Sequence, residues 1–498
     1  MMVFSVRLFC SLVWLSCLCI YGAAVVSPAS SGFVASRDAF RVGPLPYASG
    51  ESPIEGSFAG HIPIREWNDD QGRNGSAQMF FWYFPAQAPL VSNPPLVLWL
   101  QGGPGSSSMI GLFHENGPLF IDNGELRRNP FSWNQRHSML FIDNPVGTGY
   151  SFVHPRDDSK VPVISAEQLA WDILLSDQSS QGHTITAGRQ PPAYQHGYTQ
   201  NQEAISADLI TCLLALYSHF PELRAAPLYL TGESYAGKVI PALGMAIHHH
   251  NHAAALAPEL SIPLAGVAIG NGLTDPATQI LAYAPQSLAL GLVSRSQAKD
   301  IHDIARLCVA HIHRGEFTAA TLVRNHLFEY LNNHTGRVNW YDVRKGGIQN
   351  NWSDLDVLLN QDSVRKSLNT LASASGGVFD KDPAVYNHLV ADISRSEAKR
   401  VEGLLQLGYK VLLFHGQFDL RDGVMGQTEW IDGLDWHGRD EYGKAERTIM
   451  HLAGELAGYA TRAANLWRVE VLQAGHLAPM DQGKRLKELI ELWVDGEL

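Results

Sequence analysis

Residues 231 to 238, TGESYAGK, set Ser234 in a tight turn, with glycines at 232 and 237 and an alanine at 236. PLYLT before the turn has strand character and KVIPALGMAIHHH after it has helix character. A serine at such a strand–turn–helix bend is lifted above its sheet and aimed at the first amides of the helix, the layout of a nucleophile elbow. The competing reading is a glycine-bracketed turn that only ends a strand. A serine hydroxyl needs a base to take its proton and an acid to orient that base. KVLLFHGQFDLRDG places Asp419 just after an apolar run, and WRVEVLQAGHLAPMDQ places His476 just after another, preceded by Gly475. Asp422 competes with Asp419, and His415 competes with His476. The Gly-His pair after a terminal strand has the loop character a base requires, which favours His476.

Acyl chemistry also needs donors aimed at the oxygen that gains charge. LVLWLQGGPGSSS (96 to 108) ends an apolar run in Gly102 and Gly103, and the backbone amides of Gly103 and Tyr235 are the natural pair. A glycine loop also suits phosphate, but no Walker lysine follows this one. His248 and His252 stand four apart on a helical run, yet no acid or third ligand is near them, and neither metal nor cofactor is expected.

These residues need strands to carry them. LVLWL (96 to 100), MLFID (139 to 143), PLYLT (227 to 231), LAGVAIG (264 to 270), KVLLFHG (410 to 416) and WRVEVL (467 to 472) alternate with helical patterns. Such continuous runs suit parallel strands buried on both faces. Ser234, Asp419 and His476 follow in the chain order of α/β-hydrolases, each at the carboxyl end of a strand. The expected fold is therefore α/β, with a mostly parallel central sheet. From about residue 277 to 395 the strand signals fade, and amphipathic runs such as SRSQAKDIHDIARLCVAHIHR point to an inserted, mainly helical cap. The expected division is a signal peptide at 1–25, an N-terminal tail at 26–54, core at 55–276, cap at 277–395 and core again at 396–498. Residues 176 to 202, polar with Gly, Pro and Gln, read as an exposed loop.

With 498 residues and 45% hydrophobic content the chain can bury a sizeable core. Its opening, MMVFSVRLFCSLVWLSCLCIYGAA, puts Arg7 before an apolar run and then small residues, the layout of a secretory signal. That run is shorter than the roughly twenty residues of a membrane span. The mature chain is expected in the secretory pathway, secreted or in a lysosomal or vacuolar lumen, with no membrane attachment. Cys10, Cys17 and Cys19 fall in the signal; the two that remain, Cys212 and Cys308, could pair in an oxidising compartment, but Cys212 sits on the buried face of ISADLITCLLALYSHF, which favours a free thiol. Sequons at Asn74, Asn333 and Asn351 agree with secretory passage. A net charge of −12 argues against nucleic acid or an anionic membrane as partner. The 21 histidines suit an acidic compartment.

FFWYFPAQ (80 to 87), WLQGGPGSSS, SWN (132 to 134), FIDNPVGTGYSF (141 to 152), GESYAGK, IGNGLTDP (269 to 276), LLNQDSVRKSLN (358 to 369), FHGQFD and GHLAPMDQ together resemble the serine carboxypeptidase family. Gln101 and FIDNPVGTG are most similar to its vitellogenic carboxypeptidase-like branch. The resemblance implies an acid-active exopeptidase that takes peptide or protein C-termini and works through an acyl-enzyme on Ser234. It also implies that Trp99, Gln101, Gly102, Glu115 and Glu233 recognise the terminal carboxylate. A carboxyl can donate a hydrogen bond to a carboxylate only when protonated, and paired acids raise one another's pKa. An esterase, lyase or acyltransferase could use the same elbow, but has little use for that carboxylate-binding set. The chain departs from the family in having Ser106 where cysteine is common, few cysteines, and Gly483 where proline is common.

Overall fold

Each of the six apolar runs becomes a strand buried on both sides. The computed structural model describes residues 36–54, 56–68, 74–155, 194–347, 352–370 and 378–498. The signal-peptide reading, Asn351 and most of the 176–202 loop reading lie outside them. The main sheet contains β1 (Phe58–Asn68), β2 (Asn74–Phe84), β3 (Leu96–Leu100), β4 (Ser138–Ile142), β5 (Leu228–Glu233), β6 (Leu264–Gly270), β7 (Lys410–Gly416), β8 (Thr448–Leu452), β9 (Glu455–Ala463) and β10 (Leu466–Val471). Their order across the sheet is β1-β2-β4-β3-β5-β6-β7-β10-β9-β8. From β4 to β10 every neighbour pair is parallel, and these are the strands of the six apolar runs. β1, β2, β8 and β9 add antiparallel borders. The borders escaped the sequence reading because β1 and β8 carry exposed positions instead of continuous apolar runs.

Side chains alternate across a strand, so a strand buried on both faces feeds two cores. In β3, Leu96, Leu98 and Leu100 join the apolar cluster on one side, and Val97 and Trp99 join the cluster on the other. Helices α1 (Gln202–His219) and α2 (Ala236–Ala253) cover the first side. Cys212 faces that core from α1 as a free thiol, as its position on the apolar face predicts.

Between β6 and β7 the chain is mainly helical. Helices α3 (Arg295–His313) and α4 (Phe317–Thr335) pack on each other through Ile301, Ala305, Cys308, Ala320, Val323 and Leu327, a small apolar core of their own. α3 starts at a reciprocal cap in which Ser294 and Gln297 satisfy each other's backbone amides. Cys308 is also a free thiol. Helix α5 (Pro383–Ile393) returns the chain toward the sheet, and α6 (Gly483–Asp495) closes it.

The polar stretch ending at 202 is not all exposed loop. Tyr194–Gln195 and Tyr198–Thr199 form a small hairpin, and Tyr198, Thr199 and Gln200 are buried. Tyr198 stacks on His388 of α5 and donates to Asp382, and Gln200 pairs with His388. Aromatic and amide contacts to a distant helix override the local polarity that read as loop.

Candidate active site

The carboxyl ends of β3, β5, β7 and β10 open toward one another and deliver the Gln101–Gly103 loop, Ser234, Asp419 and His476. At the end of β5 the chain turns so sharply that Ser234 adopts a left-handed backbone, φ +60°. A non-glycine residue there is strained, and such strain is characteristic of functional turns. The turn is held from three directions. The Ser234 amide donates to the Gly270 carbonyl at 3.1 Å. A side chain on Gly232 would reach within 2.3 Å of the Leu100 carbonyl and 2.7 Å of the Ala236 methyl. A side chain on Gly102 would sit 2.5 Å from the Ser234 Cβ and 2.7 Å from the Tyr235 nitrogen. The glycine loop and the elbow are therefore in backbone contact, which brings the Gly103 and Tyr235 segments together.

Helix α2 leaves directly from Tyr235 and contains Pro241, which cannot donate to the Gly237 carbonyl one turn back. The Thr274 hydroxyl fills that gap with a 3.1 Å hydrogen bond, so the helix continues behind the serine. The glycine loop is anchored by Asp143 of the FIDNPVG stretch, which accepts from the Ser107 hydroxyl and from the amides of Ser108 and Tyr150. Burial pushes the Asp143 carboxyl up to about 7 against these donors.

Asp419 and His476 meet: His476 Nδ1 lies 2.8 Å from Asp419 Oδ2. Asp419 is fully buried and also accepts from Asn271 Nδ2 (2.8 Å) and from the amides of Arg421 (2.7 Å) and Asp422 (3.2 Å). The His476 amide donates to the Tyr341 carbonyl at 2.6 Å, and the Tyr341 ring meets the imidazole edge-on. Among the described residues His476 Nε2 has no hydrogen-bond partner, and His476 and Ser234 line the same cavity of about 260 Å³. Asp422 and His415, the competitors in the sequence, are buried, and among the described residues their side chains make no hydrogen bond. Burial lowers the His415 pKa well below the usual range.

Asn271 is the residue that sequence reasoning missed. Its side chain donates to Asp419 and accepts from the Gly416 amide at 3.0 Å, tying the ends of β6 and β7 together behind the acid. Its signal was an Asn-Gly pair immediately after a strand, since asparagine tolerates the left-handed φ of +41° found here.

The remaining predicted residues form a buried chain. Trp99 Nε1 donates to Gln101 Oε1 at 2.8 Å, and Gln101 Nε2 donates to Glu233 Oε1 at 2.6 Å. Glu115 closes the wide π-turn Gly111–Glu115; Gly111 is needed there because a side chain would lie 2.1 Å from the Trp99 indole nitrogen. Glu115 and Glu233 influence each other strongly, though both Glu115 oxygens and Glu233 Oε2 lack a hydrogen bond of good geometry. Burial pushes the Glu115 pKa up to about 7, and burial followed by the nearby Glu115 charge raises that of Glu233 well above the usual range. Gln101, Gly102, Gly103, Glu233, Ser234 and His476 all border the one cavity.

His248 hydrogen-bonds Tyr409, and among the described residues no group of three metal-ligating side chains gathers there or elsewhere. Asn74 and Asn333 are exposed.

Comparison with known proteins gives one consistent result. The model of the family described as "Serine carboxypeptidase" matches residues 55–496. "Serine carboxypeptidase-like 49" of Arabidopsis thaliana is 31% identical over 86% of this chain and 75% of its own length. "Probable serine carboxypeptidase CPVL" of Homo sapiens is 30% identical over 93% of this chain and 87% of its own. Among solved structures, Kex1(delta)p, a prohormone-processing carboxypeptidase from Saccharomyces cerevisiae, superposes with a TM-score of 0.74 at 26% identity, covering 93% of this chain and 97% of that one.

Proposed function

The chain belongs to the serine carboxypeptidase family, and from that premise we propose that it removes single residues from the C-termini of peptides through an acyl-enzyme on Ser234. It is a hydrolase of the serine carboxypeptidase type on an α/β-hydrolase fold. The observation that carries the reading is one cavity bordered by Ser234, His476 and Glu233, with Asp419 behind the histidine and Glu115 beside Glu233.

In the proposed reaction, Ser234 Oγ attacks the last peptide carbonyl while His476 Nε2 takes its proton, and Asp419 holds the imidazole through Nδ1. The Gly103 and Tyr235 amides receive the oxyanion. His476 then returns the proton to the departing amino group, which leaves as a free amino acid. Water deprotonated by the same imidazole releases the shortened peptide and restores Ser234. The carboxylate of the departing residue sits at Glu115 and Glu233, aided by the second hydrogen of the Gln101 amide and by Gly102, with Trp99 fixing the orientation of Gln101. Protonated, the two acids donate to that carboxylate; ionised, they repel it. The raised pKa values therefore support activity at acidic pH.

We read residues 277–395 as a cap over a core made of 55–276 and 396–498, with 26–54 as the N-terminal tail. The leader pattern and the sequons at Asn74, Asn333 and Asn351 support a glycoprotein of the secretory pathway. No described helix is long and apolar enough to cross a membrane. The test is amino acid release from N-blocked dipeptides by the native chain and by Ser234→Ala, which should lose on the order of a millionfold in kcat. Retained turnover would remove Ser234 as the nucleophile.

A further inference from the structure

A second cavity, of about 280 Å³, opens beside the first, and Gly103 lines both. It reaches into the helical segment between β6 and β7 and contains two guanidinium groups, Arg324 of α4 and Arg421, two residues past Asp419. Arg324 is 4% exposed, yet among the described residues its Nη2 has no hydrogen-bond partner; Arg421 Nε and Trp340 Nε1, on the same wall, are also without one there. Both guanidinium groups pack against the Phe328 ring, at 4.8 and 5.0 Å from its centre. Stacking of this kind spreads the charge over a π-face but leaves the N–H donors to be satisfied elsewhere.

The acids nearby do not satisfy them. Asp422 is an ion-pair partner of Arg421, but at 3.9 Å from its Nε it is too far for a hydrogen bond, and neither of its oxygens accepts one among the described residues. Asp419 is committed to His476 and Asn271. Glu329 also lines the cavity, but its carboxylate is 73% exposed and faces His326. Buried guanidinium donors without an acceptor are costly, and an entering carboxylate is the group that matches their fork.

We propose that this cavity receives the side chain of the substrate's penultimate residue and that Arg324 and Arg421 select an acidic one, aspartate or glutamate. This rests on the placement of the scissile carbonyl at the Gly103 and Tyr235 amides. That carbonyl belongs to the penultimate residue, whose side chain starts only a few bonds from the oxygen, within reach of a cavity that borders Gly103. A lysine there would meet two positive charges.

The test compares kcat/KM at about pH 5.5, where a glutamyl side chain is ionised, for four N-blocked dipeptides ending in leucine, with Glu, Gln, Leu or Lys before it. Glu should exceed Gln by about tenfold or more, the usual effect of a charge-assisted hydrogen bond, with Lys the poorest. Arg324→Met should lower the Glu peptide by about ten- to hundredfold and the Leu peptide by less than about threefold, with Arg324→Lys recovering part of the loss. Glu no better than Gln in the native enzyme would overturn the proposal, as would variants that lower Glu and Leu peptides alike. The native series decides on its own if a variant does not fold. Cleavage of none of the four would overturn the exopeptidase reading and this one with it, whereas cleavage without a preference for Glu overturns this one alone.

Discussion

Two carboxyl sites border this active centre, equally buried and differently furnished. Asp419 accepts from Asn271, from His476 and from two backbone amides. Among the described residues Glu233 accepts from Gln101 alone, and Glu115 has no well-formed hydrogen bond. A carboxyl surrounded by N–H donors is suited to accept and to orient an imidazole, whereas a carboxyl buried among few donors retains its proton and is suited to donate. Burial is common to the two sites; what separates them is the number of donors that face each acid.

The largest expected effect comes from removing the acceptor character of the first site. Asp419→Asn should lower kcat on the order of ten-thousandfold, as in other Ser-His-Asp sites, because the amide imposes the wrong imidazole tautomer. Stopped assays with N-blocked dipeptides check this, and a loss below about tenfold would mean that Asp419 does not orient His476.

The second site should show itself in stability. Its acids bind protons more tightly folded than unfolded, so their contribution is complete below about pH 4.5 and is lost as pH rises through about 7. For Glu115 alone this amounts to roughly 3 kcal/mol. The unfolding free energy should therefore fall between pH 5 and 8, and Glu115→Gln/Glu233→Gln should flatten that fall. An unchanged slope in the double variant would assign it to other buried acids, such as Asp143 and Glu397, both also pushed up to about 7 by burial.

The smallest effect tests whether the donors around Asp419 matter singly. Asn271→Ala removes one of four donors and should cost about 1–2 kcal/mol, roughly tenfold in kcat with KM unchanged. A change in KM alone would place Asn271 in substrate binding.

The contrast between the two sites was only partly legible in the sequence. Six strands were legible because continuous apolar runs have little use other than burial on both faces. The Ser234 turn, the Gly102–Gly103 loop, Asp419 and His476 each followed such a run, so their convergence at one end of the sheet followed from parallel pairing. Asn271 was not legible as a supporting residue, because its role depends on β6 and β7 being neighbours across 145 residues of chain. Nothing in the sequence singles out Arg324 and Arg421; only the packing of α4 and the turn after β7 brings them together around Phe328. The Glu115–Glu233 pair came through resemblance, and its physical basis, buried carboxyls facing few donors, depends on side chains that only the fold brings beside them.

The most direct test of the acid pair as the carboxylate receptor is the kcat/KM ratio for a C-terminal free acid over its C-terminal amide, followed from pH 4 to 8 with one N-blocked dipeptide. Above about pH 4 the substrate carboxyl is ionised. The ratio should be large at pH 5 and fall by up to about tenfold per pH unit once Glu115 ionises near 7. A ratio near one, or one that does not change with pH, would contradict the assignment of Glu115 and Glu233.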